Sequence, residues 1–280
     1  MGQVLFQNKN HKCVVFEDIM RDSGLKGGDI QSNQFLVIHA DAGGYEEGLL
    51  FDPGGSKLIQ TLHKRVTQYL SPNRIKKIVL SHQDPDTGAG ATYWMMLGNT
   101  NIKIYVSSLW ARFIPHFSRT DYTDEIFVPV PDGGMRIDHN GSELILLPAH
   151  FLHSPGNFQI YDPVSRILFS GDLGTSFIPG ESQFGEVTDF EKHAAYMEGF
   201  HRRYISSGRA CKLWAHMVRD LDIDIIIPQH GCRYFKGKSM VNAFVSWVEG
   251  LQCGVDLLGS SVYSIPPARQ ADQAGKGAFI

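Results

Sequence analysis

The chain has 280 residues, 42% of them hydrophobic, and a net charge of −3 with its histidines neutral. That is enough apolar material to bury a sizeable core, and the lack of any long basic run excludes nucleic acid or a membrane surface as an evident partner. Four widely spaced cysteines (Cys13, Cys211, Cys232, Cys253) form no C-x-x-C pair, so they read as reduced core or surface residues. The opening MGQVLFQNKNHK lacks the apolar centre of a signal peptide, and no stretch approaches 18 uninterrupted apolar residues. The expectation is a cytoplasmic protein with no membrane span.

In chain order, short β-branched runs recur: CVVF, QFLVIH, GLLFDPGG, IKKIVLSH, IKIYVS, ELILLP, FQIYD, RILFSGD and IDIIIPQHG. Most stop at a Gly or Pro cluster and read as strands. PDGG and HNGS mark hairpin-like turns. Helical spacing appears in SKLIQTLHKRVTQYL, where Leu58, Leu62, Val66 and Tyr69 share a face, and in GATYWMMLG. It returns from Asp189 to Leu221, with breaks, and in MVNAFVSWVEGLQCGVDLL. Sheets covered by helices suit this order better than a plain βαβ series. Residues 1–259 read as one domain, and the polar, turn-rich segment 260–280 as a tail.

Four apolar runs end in metal-ligand residue types. IVL leads to His82, Asp84 and Asp86, LILLPAHFL to His153, RILFSG to Asp172, and DIIIP to His230. Each has an ordinary alternative: an acidic solvated turn, a capping aspartate, a hydrogen-bonded core histidine. Together those alternatives require four coincidences, each at a strand end, where scaffolds present their chemistry. Three imidazoles and three carboxylates suit two borderline divalent ions.

The order H-x-D-x-D, LHSPGNF, LFSGD and IIPQHG resembles the metallo-β-lactamase superfamily, and more closely the diiron domain of flavodiiron proteins. The likeness covers roughly residues 25–240. It implies an α/β fold, a four-layer αβ/βα sandwich with the metals at one edge of two sheets. Carried over by position, it implies that His82, Asp84 and His153 bind one iron, that Asp86 and His230 bind the other, and that Asp172 bridges them. His150 falls on a usually apolar position of that family, yet the P-x-H pattern of simpler lactamase-fold hydrolases makes it a rival to His153. Tyr204 matches a family tyrosine near the site, with a buried structural role as the alternative.

Two departures matter. Asp84 stands where the family has Glu, and Thr87 stands where it has His. Threonine is no comparable iron ligand, so the second metal keeps an open position for O2 or NO. Carboxylate in place of imidazole favours Fe or Mn over Zn. Two divalent ions against three aspartates leave a small positive charge that oxidation increases, favouring a bridging oxo, hydroxo or peroxo ligand. The chain shows no flavodoxin segment and hence no FMN, which the family uses for electrons. The resulting expectation is a diiron O2-binding protein resembling the flavin-free oxygen-binding diiron proteins of anaerobic bacteria, some of them tied to chemotaxis signalling: a sensor, or a slow reductase served by a separate redox or signalling protein. The resemblance also implies a homodimer. The alternative is a dinuclear hydrolase of phosphodiesters or thioesters.

Overall fold

A computed structural model of the chain describes residues 2–17, 31–96, 101–113, 126–180, 183–259 and 262–266. His116 and most of the expected tail lie outside these residues. The first sheet runs in sequence order: β1 (Gln3–Gln7), β2 (His11–Phe16), β3 (Gln34–Ala40), β4 (Glu46–Phe51), β5 (Ile75–Val79), β6 (Lys103–Ser107) and β7 (Phe127–Val130). It is antiparallel up to β4 and parallel from β4 to β7. The second contains β8 (Met135–His139), β9 (Ser142–Pro148), β10 (Phe158–Asp162), β11 (Ile167–Phe169), β12 (Gly185–Glu186), β13 (Ile225–Ile227) and β14 (Arg233–Lys236). Its spatial order is β12-β14-β13-β11-β10-β9-β8.

Alternation explains why the central strands read as unbroken apolar runs. In β2, Cys13 and Val15 face the other sheet, whereas Val14 and Phe16 face a helical layer. Both faces are covered, so neither needs polar residues. Between the sheets, the Phe35 and Phe51 rings lie 5.0 and 6.2 Å from Phe169. All three are fully buried, and truncating any one to Ala costs about 3–5 kcal/mol.

One outer layer is α1 (Ile59–Val66) with α3 (Ala91–Met96), whose Leu62, Val66 and Trp94 pack on the first sheet. The other contains α4 (Phe190–Tyr204), α5 (Gly208–Val218) and α6 (Lys238–Glu249) on the second sheet. This is the four-layer sandwich that the sequence led us to expect. Asp189 and Ser207 accept the Lys192 and Ala210 N–H groups, capping α4 and α5.

The strands that the sequence runs did not single out are β1, β7, β8, β12 and β14. β7 carries Pro129 and sits at a sheet edge, as do β1, β8 and the two-residue β12, while β14 is bounded by Arg233 and Lys236. Edge strands have one neighbour and less burial, so they tolerate Pro, charge and polar alternation. HNGS is a hairpin turn joining β8 to β9, with Asn140 and Gly141 at φ 58° and 90°, the pair of positive values that a type I′ turn requires. PDGG is a turn too, closed by Gly134 N–H to Pro131 O at 2.8 Å. It joins β7 to β8, which belong to different sheets. The hairpin expected there is therefore a crossover, because turn chemistry fixes the chain reversal and not the strand that pairs next.

Candidate metal centre

The chain leaves β4, β5, β9, β11 and β13 at one edge of the sandwich. β4 and β5 are parallel, as are β11 and β13, and β9 aligns with β11 through antiparallel β10. Each exit supplies a polar residue. After β4, Asp52 takes a left-handed φ of 51° and its Oδ1 accepts the Ser81 N–H at 2.7 Å. The Ser81 carbonyl in turn accepts the Phe158 N–H at 2.8 Å, clipping the loop after β5 to the second sheet.

The Ser81 hydroxyl lies 2.7 Å from His82 Nδ1, which leaves Nε2 for the site. Asp84 then opens the single-turn α2 (Pro85–Gly88), with Pro85 at the first helical position, where a missing N–H costs nothing. That turn projects Asp86 from the same rim as Asp84. His230 is held from behind: its Nδ1 lies 2.9 Å from the Gln31 carbonyl. Asn33 donates to the Pro228 and Gly231 carbonyls at 3.1 and 2.9 Å. Gly231 has φ 95°, and a Cβ there would stand 2.8 Å from the Ser176 carbonyl, so only glycine fits.

These exits bring the six expected residues together. His82 Nε2 lies 3.6 Å from Asp84 Oδ2 and 3.8 Å from Asp172 Oδ1. His153 lies 3.5 Å from Asp84 Oδ2 through Nε2 and 3.6 Å from Asp172 Oδ2 through Nδ1. His230 Nε2 lies 3.3 Å from Asp86 Oδ2 and 3.4 Å from Asp172 Oδ1. Asp172 therefore turns one oxygen toward His153 and the other toward His82 and His230. Its side chain is 5% exposed, against 37% and 48% for Asp84 and Asp86. The centre is thus walled at the sheets and open at the rim.

The electrostatics favour a cation here. Burial alone would raise Asp172, yet His82, His230 and His153 pull its carboxyl far below the usual range. Burial would likewise depress His82, but Asp172, Asp84 and Asp52 outweigh it and lift the imidazole to about 9. The carboxylates raise the proton affinity of His82 and His230, and a divalent ion would replace those protons. Asp172 Oδ1 and His153 Nδ1 are buried without a hydrogen bond, a costly state unless each meets a ligand. Nitrogen and oxygen donors of this kind suit iron. The residues fit a dinuclear centre.

His150 does not join them. Its Nε2 lies 2.7 Å from the Asp132 carbonyl and its Nδ1 accepts the Gly156 N–H at 3.1 Å, so both ring nitrogens are engaged elsewhere. Tyr204 is 56% exposed, which corrects the buried role considered for it. Its ring stacks on Phe200 at 4.7 Å and stands 6.2 Å from the His153 ring, shielding that side. Thr87 is fully buried, with Oγ1 3.4 Å from His82 Nε2.

Three supporting residues escaped the sequence reading. Gln229 donates to Thr87 Oγ1 at 3.1 Å. Asp52, raised to about 7 by burial against His82 and the Ser81 N–H, anchors the His82 loop. His201 accepts the Gly174 N–H at 3.0 Å and donates to the Met197 carbonyl at 2.8 Å, steadying the turn after Asp172. Of these, Asp52 in GLLFDPGG, at a strand end like the ligands, carried the clearest signal.

A sequence model described as ODP family beta lactamase matches residues 30–231. The chain is 39% identical to a structure of the peroxy diiron species of the chemotaxis sensor ODP, with a TM-score of 0.76, over 91% of this chain and 97% of that one. Against the apo state of the chemotaxis sensor ODP from T. denticola, the identity is 38% and the TM-score 0.75, over 92% and 97%. A flavo di-iron protein from Thermotoga maritima shares the fold at 18% identity and a TM-score of 0.69, over 89% of this chain and 61% of that one. The anaerobic nitric oxide reductase flavorubredoxin of Aliivibrio salmonicida (strain LFI1238) is 21% identical over 212 residues, 74% of this chain. The chain spans 42% of that relative's length.

Proposed function

Because the chain belongs to the ODP family beta lactamase, we propose that it is a non-haem diiron protein that binds O2 at an open dinuclear centre and reports that binding as a sensor. The observation that carries this reading is Asp172, a buried carboxylate whose two oxygens face three imidazoles at 3.4–3.8 Å.

In this reading His82, Asp84 and His153 would hold one iron, Asp86 and His230 would hold the other, and Asp172 would be shared between them. Iron held there supplies a redox-active site for O2 or NO, and the chain's own residues set its limits. Ser81 and the Gln31 carbonyl fix His82 and His230 by their Nδ1 atoms, which keeps the ligand nitrogens aimed inward. Thr87 adds a hydroxyl where a further imidazole would close the shell, leaving room for a small ligand. Phe200 and Tyr204 cover His153 with aromatic surface. Two observations support the sensing role over turnover: 39% identity to a structure of a chemotaxis sensor, and the departures of Asp84 and Thr87 from the flavodiiron pattern.

The finer parts of the proposal are a cytoplasmic location, a homodimer, a separate signalling or redox partner, and residues 1–259 acting as the diiron domain. Among the described residues no helix is long and apolar enough to cross a membrane.

Metal analysis of protein purified without oxygen tests the reading. Two irons per chain are expected, falling to one or none in Asp172→Asn with the fold intact by circular dichroism. One iron or none in the wild type, or turnover of a generic phosphodiester with zinc, overturns it.

A further inference from the structure

A second group of ligand-type side chains lies at the opposite end of the sandwich. β10 starts at the metal edge, where Phe158 bonds Ser81, and ends at Asp162, about 13 Å away at the usual rise per strand residue. There Asp162 Oδ2 lies 2.8 Å from His11 Nε2 and 3.3 Å from Cys13 Sγ, and Cys13 Sγ lies 3.6 Å from His11 Nε2. The side chains of His11 and Asp162 are wholly buried, and Cys13 is fully buried.

Two of the three separations, 3.3 and 3.6 Å, match edges of one face of a tetrahedron around an ion, and the 2.8 Å His11–Asp162 contact would open by about half an ångström on uptake. Zinc bonds of about 2.3 Å to sulfur and 2.0–2.1 Å to nitrogen or oxygen put neighbouring ligand atoms about 3.2–3.6 Å apart. A thiolate, an imidazole and a carboxylate are the donors that zinc takes, and the thiolate disfavours harder ions. Charge agrees as well. One divalent ion with one thiolate and one carboxylate is neutral, so burial carries no net charge.

The surroundings complete the arrangement. His39 Nδ1 lies 3.0 Å from His11 Nδ1. An Nδ1 proton donated to His39 would turn the His11 Nε2 lone pair toward an ion, in place of the hydrogen bond to Asp162, the support that ligating histidines commonly receive. Ser165 contacts both the Asp162 carboxylate and the Cys13 thiol and holds the two side chains together. His39 is only partly buried.

We propose that His11, Cys13 and Asp162 form a third metal site, structural in role and selective for a zinc-type ion, that pins β2 of the first sheet to β10 of the second. Residues 149 to 151 positions apart in the chain are joined there, so the ion closes the sandwich at the end remote from the diiron centre. Uptake displaces the Cys13 thiol proton, which burial and Asp162 hold in place while no ion is bound. None of these residues belongs to the dinuclear centre, so the inference stands apart from the oxygen-binding reading.

The test is cobalt titration of the iron-loaded protein, followed by visible and near-ultraviolet absorption. Cobalt in the dinuclear centre meets no sulfur, so a thiolate-to-cobalt charge-transfer band reports a cysteine site, and its loss in Cys13→Ser separates the new site from Cys211, Cys232 and Cys253. One equivalent per chain should saturate that band. Cys13→Ser should abolish it while the iron content stays the same, and His39→Ala should weaken cobalt binding about 10–100-fold. Absence of the band at saturating cobalt, or a band that survives Cys13→Ser, overturns the proposal. Should Cys13→Ser not fold, unchanged cobalt affinity in His39→Ala overturns it instead.

Discussion

The side-chain amide of Gln229 donates to Thr87 Oγ1 across 3.1 Å, joining two residues 142 positions apart. Both are fully buried. The neighbour of His230 thus holds one of the two residues that set the first metal-binding loop apart from the flavodiiron pattern.

Breaking this pair strands a buried amide or a buried hydroxyl. Gln229→Leu is expected to lower stability by about 1–3 kcal/mol, the usual cost of an unpaired buried polar group. Thr87→Val should cost a similar amount. The double variant should cost less than the sum, with a coupling of about 0.5–3 kcal/mol. Urea denaturation of the four proteins checks this, and additive losses would show that the two side chains do not act together.

Thr87→His offers the second metal an imidazole. The expected result is tighter iron retention during dialysis against a chelator and a shorter-lived oxygen adduct in stopped-flow absorption. The Gln229 contact must be given up, so stability of the metal-free form should fall by about 1 kcal/mol. Unchanged iron retention and adduct lifetime would mean that position 87 does not face the metals.

Acid should weaken the fold through its buried neutral histidines. Burial depresses His201 to about 4 and His139 to about 3, whereas an unfolded histidine titrates near 6.5. Below about 6.5 the unfolded chain binds the extra protons, so each histidine's contribution is full above that value and lost as pH falls toward the folded one. The slope is about 1.4 kcal/mol per pH unit per group. Asp52, raised to about 7, acts with the opposite sign between about 4 and 7. One group is isolated by comparison with His201→Phe, whose stability should fall less steeply between about pH 6.5 and pH 4.5. Equal slopes would contradict a neutral His201.

Loss of His201 should also loosen the turn that carries Asp172, since Gly174 N–H would have no acceptor. Amide exchange at Gly174, measured by NMR in the iron-free protein, should accelerate in His201→Phe while exchange in β10 stays the same. Equal acceleration in both places would indicate general destabilisation instead.

Much of the site was legible because its chemistry demands residue types at strand ends. His82, Asp84, Asp86, His153, Asp172 and His230 each follow an apolar run, and the structure gathers all six. The choice between His150 and His153 was not legible from spacing. It depends on Asp132 and Gly156, which engage the His150 ring. Gln229 and His201 also stayed hidden, because their partners lie on the loops around the centre and polar residues are ordinary at such positions. The same holds for His11, Cys13 and Asp162, which look like core residues until β2 and β10 face each other. HNGS joins the strands beside it, whereas PDGG crosses between sheets, since a turn motif carries no record of the sheet it enters.

The most direct test of the central claim is to load the metal-free protein with ferrous iron under argon, admit air, and record the visible spectrum. The account predicts a new visible band on exposure to O2, at two irons per chain, and its loss in Asp172→Asn. No new visible absorption from protein that has taken up both irons would contradict it.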